Sequence, residues 1–135
     1  MNILFAASEM VPFCKTGGLA DVIGALPPAL AALGHSVTVM LPGYAAIDRK
    51  TYGFKPVKSR LHSVPVGIHE KRLKVSGTEW QGVTVYLLEN SEYFDRPGLY
   101  GDGKGDFDDN GERFIFFARG VIELTRALEC VPDVF

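Results

Sequence analysis

The order of segments between Met1 and Pro42 constrains the fold most. Ile3–Ala7 is a short apolar run, of the kind that forms a strand buried on both faces. From Gly18 to Leu33 the apolar residues Leu19, Val22, Ile23, Leu26, Leu30 and Leu33 recur at helical spacing, and Gly34 follows where helices commonly end. The segment SVTVMLP, 36–42, is a second strand. Strand, glycine-rich turn, helix, glycine and strand in that order open a doubly wound α/β sheet, a Rossmann-like three-layer sandwich of mostly parallel strands. Pro27 and Pro28 fall inside the helical stretch. Each lacks a backbone donor and crowds the preceding turn, so a kink or break is expected near Leu26.

The middle of the chain follows another rule. Residues 56–66, 68–76 and 83–89 alternate or carry β-branched residues, with breaks at Gly67, Gly77 and Gly82. That pattern predicts a β-hairpin insertion and then a strand that rejoins the sheet. Residues 90–111, NSEYFDRPGLYGDGKGDFDDNG, form a long loop of the functional or mobile kind. A helix is expected over about 111–129 from Phe114, Phe117, Val121, Leu124 and Leu128, with Asp109 and Glu112 in capping-box order. The closing PDVF begins another buried strand.

With 135 residues, 47% of them hydrophobic, the chain suits one globular domain with a single core. A net charge of −2 and scattered basic residues speak against nucleic-acid binding. The opening apolar run is too short for a signal peptide, and prolines and glycines interrupt every longer apolar stretch, so no membrane span is expected. Cys14 and Cys130 show neither metal-ligand nor CxxC spacing, which suits a reducing cytoplasm. His35, His62 and His69 show no ligand spacing either. DFDDNG, 106–111, resembles a calcium loop, but its twelfth position, where a bidentate Glu is required, is Phe117. No metal site is expected, and Cys14 reads as a small hydrophobe.

The segment KTGGLADV, 15–22, stands between the first strand and its helix. It is not GxGxxG: from Gly18 that pattern needs glycines where Ala20 and Ile23 stand. Nor is it GxxxxGK[ST], because Lys15 and Thr16 precede the glycines. It keeps the physics both motifs share. A helix N-terminus offers unpaired N–H groups, Gly17 and Gly18 let a ligand approach the backbone, and Lys15 adds a charge. The alternative is a tight turn that needs small residues, with Lys15 merely in solvent. Glu9 and Asp21 flank the turn, either as complements of the helix dipole or as acceptors for sugar hydroxyls.

Taken whole, SEMVPFCKTGGLADVIGALPPAL resembles the amino-terminal signature of bacterial glycogen synthases and plant starch synthases. The similarity continues through LGHSVTVMLPGY, VTVYLLEN, YFDRPGLYGD, DNGERFIFFARG and PDVF, and is weakest over 50–80. The resemblance implies a retaining glycosyltransferase of the GT-B type, with two Rossmann-like domains facing across a cleft. Such an enzyme moves glucose from ADP-glucose to the non-reducing end of an α-1,4-glucan, without metal or other cofactor. It assigns Lys15 to the phosphate-sugar region of the donor and Gly17 and Gly18 to the transferred glucose and its phosphate. It puts Glu9 and Asp21 near the sugar hydroxyls, and names no nucleophile or general base in this segment. Tyr93, Phe94 and Tyr100 offer flat faces suited either to acceptor sugar rings or to core packing.

Family members are several times longer. The resemblance therefore makes residues 1–135 an incomplete amino-terminal catalytic domain, without the carboxy-terminal nucleotide-binding domain, and inactive by itself. A UDP-sugar enzyme of the same architecture, a non-catalytic glucan- or phosphate-binding domain, and a flavodoxin-like domain are the competing readings.

Overall fold

A computed structural model describes residues 1–135. The elements are β1 (Asn2–Ala6), α1 (Gly18–Ala32), β2 (Ser36–Pro42), β3 (Lys55–Pro56), β4 (Ser63–Val66), β5 (His69–Arg72), β6 (Lys74–Trp80), β7 (Val83–Glu89), α2 (Ser91–Phe94) and α3 (Asn110–Ala127). The main sheet has the order β1-β2-β7-β6-β3, and β4 pairs with β5 in a separate two-stranded sheet. β1, β2 and β7 run parallel, while β6 and β3 are antiparallel additions at one edge.

Successive side chains of a strand point to opposite faces. Val39, Met40 and Leu41 are all fully buried, so β2 is covered on both sides. The covering helices are α1 and α3, both packed on β2 and β7. This is the expected layered α/β architecture. At the β1 edge Val134 makes a parallel bridge to Ile3, and Leu4 N–H donates to Val134 O at 2.9 Å. The closing PDVF thus lies beside β1 as an isolated bridge, and Phe135 stays exposed.

The expected break in α1 is absent. Pro27 and Pro28 lie inside one continuous helix, and Pro27 is buried. The donors they lack would have met Ile23 O and Gly24 O, so two bonds are lost while packing against β2 and β7 keeps the helix whole. Its end is as the sequence suggests. Gly34 (φ 91°) donates to Ala31 O and His35 to Leu30 O, which satisfies two of the last carbonyls.

The middle is more divided than expected: 56–66 splits into β3 and β4, and 68–76 into β5 and the start of β6, in different sheets. Gly67 turns the β4–β5 hairpin as expected, but Gly77 breaks nothing. β6 runs straight through it in register with Tyr86 of β7, on whose ring a Cβ there would press at 3.0 Å. The break expected at Gly82 does occur, with Gln81 and Gly82 both at positive φ between β6 and β7.

Candidate functional site

In an open α/β sheet, ligands meet the carboxyl ends of the parallel strands. Three loops leave that edge here: 7–17 after β1, 43–54 after β2 and 90–109 after β7.

The loop after β1 is anchored by its apolar half. Met10 N–H bonds Cys14 O, and the N–H groups of Phe13 and Cys14 return to Met10 O, closing a turn in which Met10, Phe13 and Cys14 are buried. Phe13 stands edge-on to Tyr52, Phe54 and Trp80, with ring centroids 5.0, 5.3 and 5.7 Å away. α1 approaches so closely that a Cβ on Gly24 would lie 2.9 Å from Val11 O. Burial pushes the Cys14 thiol up to about 11, so it stays protonated and packs as a hydrophobe.

Beyond Cys14 the chain emerges as Lys15–Gly18. Gly17 is the N-cap of α1 in extended backbone (φ −151°), and no side chain caps the helix. The N–H groups of Gly18, Leu19 and Ala20 meet no acceptor in the chain. A Cβ on Gly17 or on Gly18 would have nothing within 4 Å, and neither backbone is in the left-handed region. Neither packing nor conformation therefore demands glycine at these two positions. The tight-turn explanation fails, and an open approach to the backbone remains.

Lys15 and Asp21 find each other across the turn. Nζ lies 2.8 and 2.7 Å from the two carboxylate oxygens, and both side chains are at least half exposed. A pair so wet contributes little and opens easily.

Glu9 requires a correction. It is 4% exposed and turned into the protein. Its Oε2 accepts the N–H groups of Thr16 and Gly17, and its Oε1 accepts the hydroxyls of Thr16 and Tyr100. Four donors fill a carboxylate, which leaves no capacity for sugar hydroxyls. Burial opposes its ionisation, but these bonds outweigh it and hold its pKa below the usual range.

The 90–111 segment is also corrected. It contains α2, and Tyr93 and Phe94 are fully buried, so neither offers a face to a ligand. Asp109 does not cap α3. Its two oxygens each accept from Arg96 at 2.6 Å, a bidentate charged pair that outcompetes the cap, and Glu112 accepts from Tyr93 OH instead. One residue went unnoticed in the sequence, and Tyr100, read there only as a flat face, has another role. Arg113 is fully buried and donates to Tyr93 O, Leu99 O and Asn110 Oδ1. Tyr100 reaches back to the first loop. The signal for Arg113 was its place in the apolar stripe with Phe117, Gly120, Val121 and Leu124.

A separate cleft of about 460 Å³ lies beyond β2 and β7, lined by residues that include Arg49, Arg72, Lys74 and Glu89. Arg49 there is consumed by Glu89 and by the carbonyls of Gly43, Tyr44 and Ile47. The uncommitted backbone donors are at the Lys15 turn, which is an open surface.

Fold and turn together define a class: a doubly wound α/β domain whose unused donors gather at the carboxyl edge of its sheet. Within it, the chain belongs to the starch synthase catalytic domain family, which it matches over residues 2–135. It is 46% identical over 134 residues to the glycogen synthase of Geotalea uraniireducens, covering 99% of this chain and 28% of that protein. It is 49% identical over 138 residues to the glycogen synthase of Koribacter versatilis, covering all of this chain and 27% of that one. The catalytic domain of starch synthase IV from Arabidopsis thaliana, bound to ADP and acarbose, superposes with a TM-score of 0.84 at 27% identity, over 98% of this chain and 27% of that one. The chain thus spans little more than a quarter of the length of these relatives. No helix is long and apolar enough to cross a membrane.

Proposed function

We propose that residues 1–135 are the amino-terminal part of a glycogen or starch synthase, which transfers glucose from ADP-glucose to the non-reducing end of an α-1,4-glucan with retention. A second, nucleotide-binding domain completes the donor site. The observation that carries this reading is the uncapped start of α1, with two glycines that the fold does not require and Lys15 at its lip.

Each group has a task that its chemistry suits. The N–H groups of Gly18 and Leu19 and the helix dipole receive a phosphate oxygen or a sugar hydroxyl. Gly17 and Gly18 let the glucosyl phosphate lie against the backbone. Lys15 stabilises the charge that develops on the departing diphosphate, which fixed donors do without reorganisation as an oxocarbenium-like state forms. Asp21 accepts from a sugar hydroxyl once the donor has taken Lys15. Glu9 contributes from behind, as the support of the turn. The cytoplasm, where nucleotide sugars and reduced thiols coexist, is the proposed compartment.

The test is glucosyl transfer to a maltooligosaccharide by the full-length protein, with ADP-glucose and UDP-glucose side by side. Transfer from ADP-glucose alone is expected. Transfer from UDP-glucose alone overturns the donor assignment, and failure with both overturns the enzyme reading. Residues 1–135 alone are expected to bind ADP-glucose no better than millimolar, about 4 kcal/mol, because one wall leaves the contacts in open water.

A further inference from the structure

Tyr100 belongs to the loop after β7, yet its hydroxyl lies 2.8 Å from both Ser8 Oγ and Glu9 Oε1. One proton cannot serve both. It goes to the carboxylate, the stronger acceptor, and the Ser8 hydroxyl donates to the phenol oxygen. Glu9 is therefore gripped from two sides: Oε2 holds two successive backbone N–H groups of the turn, and Oε1 is held by a side chain from a different loop.

The Tyr100 backbone is itself fixed. Its carbonyl accepts from Phe107 N–H and from Asn110 Nδ2, both at 2.9 Å. Arg113 takes the neighbouring Leu99 carbonyl at 2.9 Å and the Asn110 Oδ1 at 2.7 Å. The Tyr100 ring leans on Phe114 with centroids 5.8 Å apart. An unbroken series of short contacts thus runs from the first turn of α3 to the start of α1.

We propose that Tyr100 is a positioning residue for the Thr16–Gly18 turn, acting through Glu9, with Asn110 and Arg113 holding the loop that carries it; the inference rests on reading that turn as part of the donor site. Without the Tyr100 hydroxyl, every remaining donor to Glu9 belongs to the turn itself, and the carboxylate is no longer tied to the loop after β7. The peptide planes at Thr16 and Gly17 then lose their fixed direction, and with them the unpaired N–H groups that follow. A site is productive only within about 0.5 Å of its geometry, so the loss is felt at the donor. Glu9 is faced by Cys14 and Tyr44, both neutral near pH 7, besides its four hydrogen-bond donors. Its ionisation is accordingly tuned by hydrogen bonds.

The experiment compares Tyr100→Phe, Glu9→Gln, the double variant and Lys15→Ala in the full-length enzyme, with kcat and KM measured separately for donor and glucan. Tyr100→Phe should lower kcat/KM for the donor about tenfold and leave the glucan KM within about twofold. The acid limb of its donor kcat/KM profile should move up in pH, because the ionised Glu9 loses a donor. In the Glu9→Gln background the same change should cost little more, since both act through one carboxylate. Unchanged donor kinetics beside a crippled Lys15→Ala overturn the inference and leave the proposed function standing, whereas a silent Lys15→Ala overturns the proposed function itself. An effect confined to the glucan KM makes Tyr100 an acceptor contact and overturns it, as do strictly additive losses. Should Tyr100→Phe fail to fold, Asn110→Asp keeps the acceptor for Arg113 and removes the donor to Tyr100 O. A donor-specific loss is expected there too, and its absence overturns the inference.

Discussion

Two loops leave the same edge of the sheet and are built by opposite rules. The loop after β7 closes on itself. Arg96 takes both oxygens of Asp109, and Arg113 lies fully buried between its carbonyl acceptors and the rings of Phe94, Phe107 and Phe114, 4.9–5.6 Å away. The loop after β1 closes on itself as far as Gly17, whose N–H Glu9 takes, and no further. Its tip carries an ion pair in open water, two glycines with empty space around them and the uncapped start of a helix. One loop uses its polar groups within itself and, through Tyr100, on Glu9, and the other leaves backbone donors over at its tip. The leftover donors of the first loop are exposed backbone N–H groups, whereas the one left over in the second, Arg113 Nη2, is buried.

The sharpest way to break that contrast is at the centre of the closed loop. Arg113→Met strands the carbonyls of Tyr93 and Leu99 in the core, and should destabilise the protein by roughly 3 kcal/mol. Urea unfolding that shows less than about 1 kcal/mol would mean that the loop does not depend on its buried cation. At the open tip the effect should move from stability to activity. Lys15→Ala in the full-length enzyme should lower turnover about a hundredfold, with stability within about 0.5 kcal/mol of the parent. A large shift in the unfolding midpoint would make Lys15 part of the fold.

Glu9 joins the two loops and has a pH signature. Its folded pKa lies below the ordinary value of 4.5, so its ionised form contributes stability that is complete above that pH. The contribution is lost as pH falls through the folded value. Glu9→Gln should therefore be less stable than the parent at neutral pH, with the gap closing in acid. A gap that stays constant from pH 7 to well below 4.5 would remove the charge from the explanation. The smallest effect sharpens the comparison most. Gly17→Ala should leave stability within about 0.5 kcal/mol while weakening donor binding. Gly24→Ala should destabilise by roughly 1 kcal/mol, because its Cβ meets Val11 O. Equal losses at the two glycines would erase the distinction between a residue kept for packing and one kept for a visitor.

The β1–α1–β2 opening was legible because its cues are local: an apolar run, a helical repeat and a glycine just past the helix. The KTGG turn was visible for the same reason. What stayed hidden depends on pairs far apart in the chain. Gly77 looks like a break until the register sets it beside Tyr86 of the neighbouring strand. Asp109 looks like a cap until Arg96 is folded onto it. Glu9 looks like a free acceptor for sugars until Tyr100, 91 residues away, closes over it. Arg113 is the instructive case, since a charged residue in an apolar stripe is visible in the sequence, but the carbonyls that justify it are not.

If the proposed donor binds at this turn, the Lys15–Asp21 pair makes its capture an exchange. An incoming phosphate does not find a bare cation; it displaces a carboxylate already held at 2.7 Å. Salt weakens the resident pair as well as the new contact, so the ionic-strength dependence would be somewhat smaller than that of a lone lysine. The released carboxylate is left in the first turn of α1, within reach of whatever polar group arrived with the phosphate. Capture at such a turn would favour a ligand with two unlike ends, an anion for the lysine and a hydroxyl for the aspartate.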